Sequence, residues 1–257
     1  MTSHLLYART PWRHWQEYLS FLTSQRVNME LYLSNQSFEQ LTHNEVARLH
    51  HALQESHLRC TLHAPTADFN PGSEDQSIQD LTRQCVLQTI QLSRYLKPQH
   101  IVFHSGYPEL PDDFERDRWI HTSINFWKSL LPQLTASDTV IALENIQENE
   151  PTALRRVIEG VKNRRLRHCF DIGHFTIFAD VSLEKWFSEL GKYCVASHLH
   201  DNHGGSDEHL AIGKGFIDFK QVTNLLLRHA PAALWTLEAQ NLDGIKQSYE
   251  ALQNIKS

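Results

Sequence analysis

The sequence of 257 residues contains no apolar run of about 18 residues, the length that a helix needs to cross a membrane. Its first residues, MTSHLLYARTPWRHW, also lack the long apolar core of a secretory signal peptide. The four cysteines are far apart and form no C-x-x-C pair: Cys60, Cys85, Cys169 and Cys194. These absences predict a cytoplasmic protein with no membrane span, in which the thiols are reduced and buried.

Positive charge is scarce as well. Lysine and arginine together number 24, against 30 aspartates and glutamates, which gives a formal net charge of −6. Proteins that bind duplex DNA ordinarily present a basic face, so we do not expect DNA as a partner. Histidine, by contrast, is abundant, with 17 residues. Because histidine is the commonest metal ligand and a frequent acid or base, its abundance favours a metal-binding or catalytic site.

Short runs rich in apolar and β-branched residues recur along the chain, and amphipathic segments such as residues 75–96 and 115–134 lie between them. Eight runs are typical of strands: HLLYAR (4–9), VNMELYL (27–33), LRCTLH (58–63), HIVFH (100–104), TVIALE (139–144), HCFDIG (168–173), CVASHLH (194–200) and LWTLEA (234–239). Strands that alternate with helices pair in parallel through helical crossovers. The pattern therefore predicts a single-domain α/β protein, residues 1–257, folded as a (β/α)8 TIM barrel. An open, doubly wound sheet is the alternative, although no G-x-G-x-x-G pattern follows the first strand.

In TIM barrels the active site lies at the C-terminal ends of the strands. Nine potential metal ligands occupy the ends of six consecutive predicted strands or the loops after them: His63, His104, Glu144, Asp171, His174, His198, Asp207, His209 and Glu238. Neighbouring strands lie about 5 Å apart, so a closed ring would bring these side chains together. The predicted fold thus places five histidines and four carboxylates at one mouth of the barrel.

Each of these residues alone has an ordinary structural explanation, as a hydrogen-bonded rim histidine or as half of an ion pair. Glu144 and Glu238, however, end apolar runs that should face a packed core. An unpaired charge is costly in such a place unless it binds a cation. Histidine together with carboxylate suits Zn²⁺, Mn²⁺ or Fe²⁺, so the sequence predicts a metal site at the mouth.

Six motifs, read together and in order, resemble the xylose isomerase-like TIM-barrel superfamily, which includes endonuclease IV and many sugar isomerases and epimerases. The motifs are LHAPTADFNPGSED (62–75), IVFHSGY (101–107), IALEN (141–145), CFDIGHF (169–175), HLHDN (198–202) with SDEHLAIGKGFIDF (206–219), and WTLEAQ (235–240). The resemblance implies one to three divalent ions per chain, with zinc favoured and manganese, iron or cobalt as alternatives.

The resemblance also implies two types of site. Its isomerases and epimerases hold one ion, for which the matching positions here are Glu144, Asp171, His198 and Glu238. The endonuclease IV branch holds three zinc ions. In that case His63 and His104 would bind the first ion, and Glu144 would bridge to the second. Asp171, His198 and Glu238 would complete the second, and His174, Asp207 and His209 would bind the third. This chain has all nine residues.

Three functions follow from these site types. Clustered ions suit phosphoester hydrolysis by a metal-activated water, and the full set of nine ligands favours this reaction. The first alternative is a sugar or sugar-phosphate isomerase or epimerase in which Glu144 and Glu238 transfer protons. The second is a metal-binding protein without activity. No pattern in the sequence predicts an oligomeric state.

The substrate is expected to be a small or nucleotide-like molecule. Thr66 stands where endonuclease IV has a tyrosine that serves DNA, and Lys214 stands where the superfamily commonly has an acid. His200 and Lys214 are the predicted substrate-binding residues, while Asp201 and His203 are expected to support the ligands or face the substrate. The segment PELPDDFERD (108–117) is either a lid or an exposed connector.

Overall fold

Eight parallel strands close into a barrel in sequence order, with the last strand paired to the first, in the computed structural model of the chain. The structure describes residues 6–110, 112–134 and 138–256. The strands are β1 (Leu6–Pro11), β2 (Asn28–Tyr32), β3 (Cys60–His63), β4 (His100–His104), β5 (Val140–Glu144), β6 (Leu166–Asp171), β7 (Cys194–Leu199) and β8 (Leu234–Leu237). The predicted (β/α)8 barrel is confirmed, and the open-sheet alternative is wrong because β1 and β8 pair.

Helices cover the outside of the barrel. They are α1 (Trp15–Gln25), α2 (Asn35–Gln40), α3 (His43–Glu55), α4 (Gln76–Leu96), α5 (Asp113–Leu130), α6 (Thr152–Val161), α7 (Ile172–Phe178), α8 (Leu183–Leu190), α9 (Phe219–His229) and α10 (Leu242–Lys256). Helix α4 begins where Asp75 accepts a hydrogen bond from the backbone N–H of Ser77. Among the described residues, no helix is long and apolar enough to cross a membrane.

Alternation along the strands determines where the polar side chains go. Val102, Ala142, Cys169 and Ala196 form a small buried cluster of their own inside the barrel. The residues two positions later point to the same face of their strands, since side chains alternate with a period of two. These residues are His104, Glu144, Asp171 and His198. A layer of small apolar side chains therefore supports a layer of metal-type ligands at the C-terminal ends of the strands.

The segment predicted to be a lid or connector is shorter than expected. Helix α5 begins at Asp113, where Asp112 accepts a hydrogen bond from the N–H of Glu115. Residues 113–117 therefore belong to the first turns of a helix, and only residues 108–112 connect it to the preceding loop; Pro111 lies outside the described residues. Acidic residues near this helix start suit the positive end of its dipole, which accounts for the earlier beginning.

Candidate metal centre

Four side chains from four consecutive strands meet at the mouth of the barrel. Glu144 ends β5, Asp171 ends β6, His198 lies in β7, and Glu238 directly follows β8. All four are buried, and one ligand atom from each lies within 4.8 Å of all the others. The Nδ1 atom of His198 lies 2.8 Å from Glu238 Oε2 and 3.2 Å from Glu144 Oε1. We call these four residues the inner centre.

The donor atoms of the inner centre fit a divalent cation. Both carboxylate oxygens of Glu144, Nδ1 of His198 and Oε2 of Glu238 are buried and make no hydrogen bond with the described residues. Buried polar atoms are nearly always hydrogen-bonded, and a buried charge without compensation is costly. Three carboxylates and one imidazole that converge in this way match the oxygen and nitrogen ligands of Zn²⁺ or Mn²⁺.

A second group of ligand atoms shares Glu144 with the inner centre. His63 Nε2 lies 3.2 Å and His104 Nε2 lies 3.9 Å from Glu144 Oε2. The Nδ1–H of His63 donates to the carbonyl of Ala64 at 2.8 Å, which turns Nε2 toward the carboxylate. His63, His104 and Glu144 together satisfy the geometry of a possible metal group.

The third predicted set is arranged differently from the expectation. Asp207 Oδ2 lies 3.3 Å from His174 Nε2 and 2.9 Å from His209 Nε2, so that one carboxylate joins the two rings. Within the described part of the chain, these three residues do not form a compact metal group. The compact group here consists of His200, His209 and Glu238. The rings of His200 and His209 stack with centroids 4.1 Å apart.

Burial and charge act against each other throughout this site. Burial raises the pKa of Glu144, but His198 and His104 outweigh it and hold that pKa well below the usual value. Glu238 behaves in the same way, mainly through His198. Burial lowers the pKa of His198, but Cys169, Glu144 and Glu238 raise it well above the usual value. Burial alone dominates at His104 and lowers its pKa to about 4. Both glutamates are therefore ionised, and His104 is neutral and able to donate a lone pair.

The residues predicted to face the substrate lie in three different environments. His200 is fully buried, with Nε2 at 3.2 Å from both oxygens of Asp171. Lys214 is exposed. The exposed ring of His203 contacts Glu208 at 3.0 Å instead of the ligands.

Asp201 supports the loop after β7 and does not face the mouth. Its buried carboxylate accepts hydrogen bonds from the backbone N–H groups of Gly213, Gly215 and Ile217 at 2.8 to 3.1 Å. Asp201 also pairs with Leu210 through two backbone hydrogen bonds. These bonds hold together the two ends of the segment that carries Asp207 and His209.

Two residues at the site were missed in the sequence. Glu30 is buried in β2, and its Oε1 lies 2.8 Å from Nε2 of His198. Arg9 in β1 places Nε 3.3 Å from Glu238 Oε1, and its guanidinium lies 4.0 Å above the ring of Tyr32. A charged residue inside the apolar run VNMELYL is the same pattern that singled out Glu144, so Glu30 could have been found by reading whole strands and not only their ends.

Comparisons with known proteins agree with this architecture. The sequence profile of the xylose isomerase-like TIM-barrel family matches residues 28–255. The uncharacterised protein MJ1311 of Methanocaldococcus jannaschii is 27% identical over 201 residues, which cover 75% of this chain and 68% of that protein.

Two solved structures have the same fold. The TTHB071 protein from Thermus thermophilus, soaked with ZnCl2, is 22% identical with a TM-score of 0.84, and the alignment covers 98% of this chain and 97% of that one. A D-tagatose 3-epimerase-like protein is 21% identical with a TM-score of 0.83, covering 98% and 96%.

Proposed function

Because the chain belongs to the xylose isomerase-like TIM-barrel family, we propose that it is a metal-dependent isomerase or epimerase of a small sugar or sugar phosphate. The observation that carries the proposal is the inner centre, in which Glu144 and Glu238 both approach Nδ1 of His198. The similarity to an epimerase-like protein and to a zinc-soaked protein of the same fold supports it. The cytoplasmic location and the number of ions, one to three, remain predictions.

The two glutamates can exchange protons with a bound ketose. A divalent ion held by the inner centre would polarise the carbonyl oxygen and make the neighbouring C–H more acidic. One glutamate then removes the proton from that carbon, and the other returns a proton to it. Their low pKa values make both carboxylates weak bases, so the reaction depends on this polarisation. His63 and His174 lie beside Glu144 and are positioned to hold substrate hydroxyl groups.

Proton exchange with solvent tests this mechanism. The metal-loaded protein is incubated with a panel of ketoses and ketose phosphates in D2O, and deuterium at the carbon next to the carbonyl is followed by NMR. Glu144→Gln and Glu238→Gln should each slow exchange by about 10²- to 10⁴-fold, the usual contribution of a general base. Glu208→Gln is the matched control, because this carboxylate contacts His203 and not the inner centre. Normal exchange in both site variants would contradict the assignment.

Phosphoester hydrolysis is a second candidate, and one specific observation favours it. The group formed by His63 and His104 shares Glu144 with the inner centre, as a carboxylate that bridges two ions would. Paired ions stabilise both the attacking and the leaving oxygen of a phosphoester. Inductively coupled plasma mass spectrometry of the untagged protein separates the candidates. Two or three tightly bound ions, with alcohol release from small or nucleotide-like phosphoesters, favour the hydrolase; one ion favours the isomerase.

A further inference from the structure

Glu30 is a carboxylate buried inside the barrel below the mouth. It lies in the middle of β2, is 1% exposed and pairs in register with Thr61 of β3. A carboxylate in this position needs compensation for its lost hydration. Among the described residues, Glu30 belongs to none of the groups of side chains that could hold a metal ion.

Two threonines fix the orientation of this carboxylate. The hydroxyl of Thr61 donates to Glu30 Oε2 at 2.9 Å, and the hydroxyl of Thr236 in β8 donates to the same oxygen at 3.2 Å. Both threonines are buried. Because Oε2 is held by two donors, Oε1 is left to face Nε2 of His198 at 2.8 Å, an ion-pair distance at which the angle is not that of a hydrogen bond.

The contact with Glu30 decides which nitrogen of His198 is free to bind a metal. When Nε2 carries the proton that faces Glu30, the lone pair is on Nδ1. Nδ1 is the atom that lies among the carboxylates of Glu238, Glu144 and Asp171, at 2.8, 3.2 and 3.7 Å. Histidine ligands of metals commonly donate their other ring N–H to a carboxylate, which fixes the tautomer and makes the ligand more basic.

We propose that Glu30, held by Thr61 and Thr236, is a positioning residue that sets the tautomer and ligand strength of His198 and thereby the metal affinity of the inner centre. This inference rests on the proposed metal centre but not on the reaction that the metal serves. It predicts that the affinity for the ion changes even when no substrate is present.

Cobalt binding tests the proposal without any enzymatic assay. Chelator-treated protein is titrated with Co²⁺ against a competing chromophoric chelator, and the visible absorption of bound Co²⁺ is recorded. Glu30→Gln keeps the shape of the side chain but removes its charge. We expect its dissociation constant for Co²⁺ to rise by about 10- to 100-fold, the usual effect of losing such a partner, with altered visible bands.

His168→Gln is the matched control. His168 is also buried in the barrel wall, but its ring nitrogens contact Leu143 and Trp186 and, among the residues that the structure describes, no side chain of the inner centre. Its removal should destabilise the fold while leaving the Co²⁺ affinity and spectrum unchanged. A merely structural role for Glu30 predicts that the two variants behave alike.

A second variant covers the case in which Glu30→Gln does not fold. Thr61→Val with Thr236→Val keeps the carboxylate and removes both groups that orient it, so the affinity should fall by less than in Glu30→Gln but remain measurably below the unaltered protein. If the Co²⁺ affinity and spectrum were unchanged in every folded variant, the role of Glu30 would be overturned, but the metal centre would not. Failure of the unaltered protein to bind Co²⁺ would overturn the metal centre and this inference together.

Discussion

The barrel buries histidines in two regions, and their surroundings give them opposite properties. At the mouth, neighbouring carboxylates outweigh burial and raise the pKa of His63, His174 and His198, whereas burial prevails at His104. In the barrel wall, burial dominates and lowers the pKa of His168 to about 4. Burial alone therefore makes a histidine neutral, and a surplus of carboxylates distinguishes the mouth.

Strand β6 contains both kinds of environment. Asp171, at its end, belongs to the inner centre. His168, three residues earlier, lies on the opposite face, where its Nδ1–H donates to the carbonyl of Leu143 at 3.0 Å and its Nε2 accepts from the indole N–H of Trp186 at 3.3 Å. Both nitrogens of His168 thus have neutral partners. In the described part of the chain, four ligand atoms of the inner centre, on Glu144, His198 and Glu238, lack such partners. For this reason we propose metal binding at the mouth and a structural role for His168.

The effect of metal loading on thermal stability should give the largest difference between variants of the mouth and variants of the barrel wall. An ion at about 1,000 times its dissociation constant adds roughly 4 kcal/mol to the free energy of unfolding, because it binds only the folded centre. For a chain of this length, each kcal/mol raises Tm by roughly 2–4 °C. Calorimetry of zinc-loaded and chelator-treated protein measures the shift, which His198→Ala should abolish and His168→Gln should retain. If both variants lost the shift in Tm, metal binding would no longer distinguish the mouth from the barrel wall.

Acid should destabilise the protein through His168. Its pKa is about 4 in the folded protein, below the ordinary value, so the unfolded chain binds more protons between these pH values. Stability is therefore full above about pH 6.5 and falls by up to about 3 kcal/mol as the pH approaches 4. Urea unfolding of the metal-free protein at several pH values measures the slope, which should be shallower in His168→Gln. An equally steep slope in that variant would assign the acid sensitivity to other groups.

Removing the hydrogen bond from Trp186 to His168 should change the free energy of unfolding by a smaller amount. Trp186→Phe removes the indole donor and leaves Nε2 of His168 buried without a partner, at an expected cost of about 1–3 kcal/mol. Trp127→Phe is the control, because Trp127 is equally buried but its indole N–H has no hydrogen-bond partner among the described residues. Chemical unfolding of both variants isolates the hydrogen bond from the loss of ring volume. Equal destabilisation would mean that the bond contributes nothing.

Lys214 lies outside both regions and should have the smallest effect on stability. Its side chain is exposed, so Lys214→Ala should change the free energy of unfolding by less than about 0.5 kcal/mol. If Lys214 binds an anionic group of the substrate, KM rises while kcat is nearly unchanged. Unchanged KM for every phosphorylated substrate that the protein converts would exclude that role.

The sequence predicts the mouth much better than the interior below it. The strands and their ends follow from local apolar runs, so the positions of Glu144, Asp171 and His198 could be read directly. Glu30 differs because its contacts depend on barrel closure: its partner Thr236 is 206 residues away in the sequence. The stagger of the strands, which decides whether a side chain in β2 reaches one in β7, has no local pattern.

The sequence also only partly distinguishes histidines with a structural role from histidines that could bind a metal. His63 and His168 both lie in predicted strands and look alike in the sequence. Once Asp171 is known to point inward, however, the odd spacing between it and His168 assigns His168 to the outer face. The parity of positions along β6 therefore carries information that composition does not.

The bonds made by Asp201 have a consequence for how such a protein can diversify. They close the base of the loop after β7. At the tip of this loop, a Cβ atom added to Gly204 or Gly205 would have no other atom of the described residues within 4 Å, apart from those of its chain neighbours. A side chain at Gly205 would therefore meet no neighbour, whereas Gly204, at a φ of +78°, favours glycine. The loop is thus fixed at its base and tolerant at one position of its tip, so we expect sequence variation at residue 205 to leave the side chains of the inner centre in place.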